Sequence, residues 1–187
     1  VVGYADYALR KFFDFAKTQP WYDNTLFVLA ADHTAESETK NIQTRVGIYS
    51  IPIIFFRPNG ELKGRFSEVF QQIDIMPTVL DLLGYPKPYA AFGQSIYSNQ
   101  YPHSALTFRQ EIYQLIQGSY VLQFDGESTR GLYDFKKDSL HNVNLISSEP
   151  ERVAQLERQV KAFIQVYNSS MLNNELTLAQ PGVNSQG

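Results

Sequence analysis

The stretch Thr25-Leu26-Phe27-Val28-Leu29-Ala30-Ala31-Asp32-His33 constrains the fold of this chain more than any other. It is a short apolar, partly β-branched run without alternation. Such a run reads as a strand buried on both faces, as in a sheet covered by helices. It ends abruptly in a carboxylate and an imidazole. In helix-covered sheets ligands bind outside the carboxyl ends of the strands, where Asp32 and His33 fall. A carboxylate oxygen beside an imidazole nitrogen suits a divalent cation such as zinc or manganese. The alternative is that Asp32 caps a turn and His33 is an exposed loop residue.

The flanking sequence decides what surrounds this strand. Tyr4 to Lys17 carries Tyr4, Ala8, Leu9, Phe12, Phe13 and Ala16 at helical spacing, and Gln19-Pro20 ends the helix. After His33 the polar stretch Thr34 to Thr44 has no apolar periodicity and reads as a surface loop beside the site. Ile51-Pro52-Ile53-Ile54-Phe55-Phe56 is a second strand, with Pro52 confined to its first residues and Arg57-Pro58-Asn59-Gly60 closing it. A helix from Asp74 to Leu83 follows, with Asp74 as N-cap, Pro77 in the first turn and Gly84 as the stop. The order helix, strand, strand, helix, with strands that read as doubly buried, predicts an α/β arrangement with a mostly parallel sheet.

Pro86, Pro88, Gly93 and Pro102 then mark an irregular connection, and the pattern changes. Ser104–Arg109, Ile112–Gln117, Tyr120–Phe124 and Arg130–Phe135 are short, aromatic, partly alternating runs separated by Gly118-Ser119 and Asp125-Gly126. They predict an antiparallel meander. Pro150 opens a helix to about Tyr167, whose Val153, Leu156, Val160, Phe163 and Ile164 form one face to cover it. The chain divides accordingly into residues 1–100 (α/β part), 101–172 (antiparallel part with its helix) and a flexible tail, 173–187.

Composition excludes several functions. A net charge of −3 with no Lys/Arg cluster argues against nucleic acid as a partner. The absence of cysteine rules out a disulfide framework, cysteine-ligated zinc and a thiol nucleophile. No apolar run approaches the roughly 20 residues a membrane helix needs. The chain opens in helical sequence at Val1, which suggests a piece of something longer.

Several stretches together resemble a known family. They are Trp21-Tyr22-Asp23-Asn24-Thr25-Leu26-Phe27-Val28 leading into Ala31-Asp32-His33, then Ile51-Pro52-Ile53-Ile54, then Gln72-Ile73-Asp74-Ile75-Met76-Pro77-Thr78-Val79-Leu80-Asp81-Leu82-Leu83-Gly84. Phe92-Gly93-Gln94-Ser95, and Gly131-Leu132-Tyr133-Asp134 followed by Asn144-Leu145, complete the series. In this order they resemble the C-terminal half of a sulfatase-type domain of the alkaline phosphatase superfamily, nearest the lipoteichoic acid synthase and phosphoglycerol transferase branch. The resemblance covers roughly residues 4 to 170.

The resemblance implies an enzyme acting on a phosphate- or sulfate-ester substrate, with a Thr, Ser or formylglycine nucleophile beside one or two divalent metals (Mn, Zn, Mg or Ca). Asp32 and His33 match two metal ligands of the family pattern. Thr34 follows them where the family has glycine, which bears on the loop's backbone angles. The nucleophile and the remaining ligands belong to the N-terminal half of the family's domain, and Thr25, Thr34 and Thr78 are not in that context. The expected partner is therefore that missing N-terminal half, and the chain alone is expected to be inactive. The resemblance also implies an extracytoplasmic protein, in the periplasm or at the cell surface, held to the membrane only through N-terminal helices absent here.

Other polar residues receive plainer assignments. His103 and His141 read as surface or hydrogen-bonding residues, Asp74 and Asp81 as a cap and a helix-surface charge. Arg45 and Tyr49 precede the second strand and lie near the expected substrate region. Phe12, Phe13, Tyr113 and Tyr120 read as packing rather than a cofactor box. Two rival functions stand beside the main one: a calcium-dependent glycan sulfatase, and a non-catalytic α/β binding module in which Asp32-His33 is a turn.

Overall fold

The computed structural model describes residues 2–34 and 43–177. Most of the polar loop after His33 (35–42) and the end of the tail (178–187) lie outside the described residues. The order is α1 (Val2–Ala16), β1 (Phe27–Ala30), β2 (Ile53–Phe56), α2 (Ile75–Leu82), β3 (Ser104–Arg109), β4 (Ile112–Gln117), β5 (Tyr120–Phe124), β6 (Thr129–Asp134) and α3 (Pro150–Leu172). Short 3₁₀ turns at Tyr22–Asn24, Gly47–Tyr49 and Gln72–Asp74 complete it.

The α/β class is as the sequence predicts, but the first two strands pair differently. β1 and β2 run antiparallel, with Phe27 opposite Phe56 and Ala30 opposite Ile53. A parallel pair requires a crossover, usually helical. The described part of this connection instead holds one 3₁₀ turn and turns directly into β2. The antiparallel return sets the exit of β1 beside the entrance of β2, where the Ala31 amide donates to the Pro52 carbonyl at 3.3 Å.

The apolar run is also not buried on both faces. Phe27 is buried under an aromatic cluster: Phe13 stands 5.2 Å from its ring, Phe56 5.9 Å and Tyr22 5.6 Å. Val28 and Ala30 are exposed. α1 meets this ribbon near its C-terminal end, through buried Ala16 and through Phe13. Tyr4, Leu9 and Phe12, predicted for its buried stripe, are exposed, because a two-stranded ribbon is too narrow to cover a 15-residue helix.

The meander is built as its alternation predicts, in the order β3-β4-β5-β6 and antiparallel throughout. Gln110 and Glu111, with φ of 50° and 64°, make the first tight turn with both central residues left-handed. A row of leucines crosses all four strands in register: Leu106 opposite Leu115, Leu115 opposite Leu122, Leu122 opposite Leu132. Leu156 and Val160 of α3 close over that row, so the helix covers the meander as expected. The adjacent row, on the other face, is Thr107, Gln114, Gln123 and Gly131. There the Gln123 amide donates to the Gln114 carbonyl oxygen at 3.4 Å, and Arg45 donates to Gln123 Oε1 at 3.3 Å.

Most of the motif residues knit the fold. Asp74 holds the N-cap position of α2, yet its buried carboxylate accepts the amides of Gln71 (3.0 Å) and Gln94 (2.9 Å) instead of capping that helix. Burial pushes its pKa up against those two bonds. Gly93 must be glycine, since a Cβ there would fall 2.3 Å from the Ile73 carbonyl oxygen. Ser95 donates to Asp81 at 2.6 Å, so Asp81 is a tether as well as a surface charge. Asn144 Oδ1 accepts the amides of Leu132 and Ile146, pinning the chain after β6 to that strand. Gly84, with φ of 63°, ends α2 through bonds from its amide to Asp81 and from Tyr85 to Leu80.

Candidate metal centre at the exit of the first strand

Asp32 and His33 lie just past the end of β1, both exposed and both on the rim of a cavity of about 860 Å³. The cavity separates the strand ends from the meander, with Ile53 and Phe70 on one side and Ala105, Thr107 and Ile116 on the other. Tyr49 lines it. Arg45 does not line it, because its guanidinium is drawn to Gln123. Arg65 and Lys136 bring positive charge to the lining and Glu68 negative.

The pair is turned inward on itself. Asp32 Oδ1 accepts the His33 amide at 2.9 Å, and Asp32 Oδ2 faces His33 Nε2 at 3.5 Å. His33 Nδ1 lies 2.9 Å from the Thr34 carbonyl oxygen. A carbonyl oxygen only accepts, so Nδ1 carries the proton and, in the neutral ring, Nε2 keeps its lone pair. This is the way a metal-ligating histidine is usually oriented. The Thr34 carbonyl, and then the Asp32 charge, raise the His33 pKa.

The donor set fits a cation. Two atoms held about 2.1 Å from one tetrahedral ion lie about 3.4 Å apart, close to the separation seen here. The fit covers two positions only. Among the described residues no group of three or more His, Asp or Glu side chains converges.

The backbone of the tip is held from two directions. Gln72 Nε2 donates to the Ala31 carbonyl at 3.0 Å and to the Asp32 carbonyl at 3.1 Å. Thr34 Oγ1 donates to the Ile48 carbonyl. Thr34 is not among the described non-glycine residues with positive φ, so threonine at this position costs no left-handed strain. Neither tether was legible as such in the sequence. Gln72 is part of a recognisable motif, but the bond joins residues 41 and 40 apart.

The other histidines lie away from the pair. His103 is buried rather than at the surface, edge-on to Phe66 at 5.2 Å with the Gln94 amide 3.4 Å from Nδ1. His141 stacks on Tyr133 at 4.7 Å, and its buried ring nitrogens make no hydrogen bond. Burial accordingly lowers its pKa. Among the described residues no helix is long and apolar enough to cross a membrane.

Known proteins resemble this chain at three levels. Residues 1–85 match the sulfatase family model. The lipoteichoic acid synthases of Staphylococcus aureus strains USA300 and COL are each 26% identical over 185 residues, covering 92% of this chain. The chain spans 26% of the length of these relatives. A crystal structure of a protein in the alkaline phosphatase superfamily from Vibrio parahaemolyticus superimposes with a TM-score of 0.70 at 23% identity, over 94% of this chain and 42% of that one. The chain is thus similar to the sulfatase family over residues 1–85 and to lipoteichoic acid synthase along most of its length, and it shares the fold of the alkaline phosphatase superfamily protein from Vibrio parahaemolyticus.

Proposed function

We propose that Asp32 and His33 are two divalent-cation ligands of a metal-dependent phospho- or sulfo-ester hydrolase or phosphoglycerol transferase. The observation that carries this reading is the convergence of Asp32 Oδ2 and His33 Nε2 at the rim of the cavity, with the imidazole tautomer set by the Thr34 carbonyl. When bound, the cation would polarise an ester oxygen and depress the pKa of an attacking hydroxyl. Arg65 and Lys136 supply positive charge for an anionic ester, and Tyr49 a hydroxyl for orienting it. The nucleophile and the ligands that complete the shell are not among the residues assigned here. Residues 1–100 belong, on this reading, to the catalytic α/β part and 101–172 to an appended antiparallel part. The intact protein is read as extracytoplasmic and membrane-anchored.

An imidazole ligand favours manganese or zinc over calcium, whose preference is for oxygen. That chemistry ranks the transferase reading above a calcium-dependent sulfatase. Calorimetric titration of the chain with Mn²⁺, Zn²⁺, Mg²⁺ and Ca²⁺ tests it. Weak saturable binding of Mn²⁺ or Zn²⁺ is expected, reduced by about tenfold or more in Asp32→Ala and in His33→Ala. Equal titration curves for the variants and the parent chain would leave only a turn at this position.

A further inference from the structure

We infer that Gln72 and Thr34 are positioning residues for the Asp32–His33 pair, acting through the backbone on which it is mounted. The inference rests on the reading of that pair as cation ligands. Beyond β1 the tip has few ladder bonds of its own: Ala31 donates to Pro52, and the carbonyls of residues 31 and 32 face the 3₁₀ turn at Gln72–Asp74. One primary amide has two hydrogens, and Gln72 directs its nitrogen at both carbonyls, at 3.0 and 3.1 Å. The tip is thereby fixed to the start of α2 on one side. Thr34 fixes the other side through its hydroxyl on Ile48, while its carbonyl holds His33 Nδ1. A glycine at position 34 would keep the carbonyl and lose the hydroxyl.

The anchor of the clamp is itself immobilised. Asp74, two residues from Gln72, is buried and bonded to the amides of Gln71 and Gln94. The Gln94 bond ties the turn to the Phe92–Ser95 segment, which Gly93 lets approach within contact of Ile73. The order of restraint therefore runs from a buried carboxylate, through a 3₁₀ turn, to an amide, to the backbone of the ligand pair. Gln72 is exposed, so replacing it leaves the core untouched.

Gln72→Glu is the discriminating substitution. It preserves size but turns a donor into an acceptor aimed at two carbonyl oxygens, which breaks the clamp. It also adds negative charge near the cation site, which by Coulomb attraction alone would tighten binding. The two effects have opposite signs. With Mn²⁺ as probe, titrated by calorimetry into the 187-residue chain, a loss of affinity of about 10- to 100-fold is expected in Gln72→Glu, and a smaller loss in Thr34→Val. A metal-free readout accompanies it: the ¹⁵N shifts of the His33 ring report the Nδ1-protonated tautomer in the parent chain and a mixture of tautomers in both variants. Unchanged or tighter Mn²⁺ binding in Gln72→Glu, with an unaltered His33 ring, overturns the inference. If the parent chain binds no Mn²⁺, the cation reading fails by itself, and the ring shifts alone decide whether Gln72 and Thr34 set the imidazole.

Discussion

Asp125 shows at the scale of one residue how a turn stores its dependence on pH. Its Oδ1 accepts the amides of Glu127 and Ser128 at 2.9 and 2.8 Å, and Oδ2 accepts from Arg130 Nε. These bonds favour the charged carboxylate and bring its pKa from 3.8 to about 2, the backbone amides contributing most. The folded form therefore stays deprotonated after the unfolded chain has begun to take up a proton. The stabilisation is present above the unfolded value and is lost as pH falls through that interval. Glu149 and Glu157, also lowered, act in the same direction, while the raised pKa of Asp74 opposes them. In Asp125→Asn the amide oxygen can still receive the two backbone amides but carries no charge. Its urea midpoint is expected to fall less steeply than that of the parent between about pH 4 and pH 2, and parallel acid limbs would contradict this. At this scale the sequence is legible where chemistry is unusual. Asp32 and His33 stand out because polar groups end an apolar run, and Asp125-Gly126 because the pair signals a turn. Gln72, an amide among many, becomes meaningful only once folding brings it to the Asp32 carbonyl.

The elements divide by how much of their apolar face finds cover. α3 is amphipathic and meets a four-stranded sheet wide enough to receive it. Leu156, 2% exposed, lies against the leucine row of that sheet. α1 is richer in aromatics than α3, yet Phe12 is 46% exposed. Removing a buried leucine side chain typically costs about 2–5 kcal/mol, whereas truncating a half-exposed ring costs considerably less. Leu156→Ala is accordingly expected to destabilise the chain by about 1–3 kcal/mol more than Phe12→Ala, read from urea denaturation of each. Comparable losses would mean that α1 is covered by something the ribbon does not provide. The contrast also explains what periodicity can tell. Alternation and turn residues located β3 to β6 because each strand meets its neighbour within a few residues. Helical spacing located α1 and its apolar face but not what lies opposite. The direction of β2 against β1 was hidden for a related reason, since an uninterrupted apolar run looks the same whichever way its neighbour points.

At the scale of the whole molecule the candidate site is a rim with one occupied side. Asp32 and His33 offer two donors at a separation suited to a cation, and among the described residues no third acidic or imidazole side chain joins them. A tetrahedral shell with two protein ligands leaves half its positions to water, and such a site holds its ion weakly. Ester cleavage further requires a nucleophile placed beside that ion, and the proposed reading assigns that role to none of the described residues. The chain also spans 26% of the length of the lipoteichoic acid synthases it resembles. On the proposed reading, therefore, the 187-residue chain supplied with Mn²⁺ is expected to release nitrophenol from neither a nitrophenyl phosphate nor a bis-nitrophenyl phosphodiester above the rate of metal alone. A rate that exceeds the metal blank, saturates with substrate and disappears in Asp32→Ala would show that a complete catalytic site forms within these residues. The cavity between the strand ends and the meander would then be the place to seek its nucleophile.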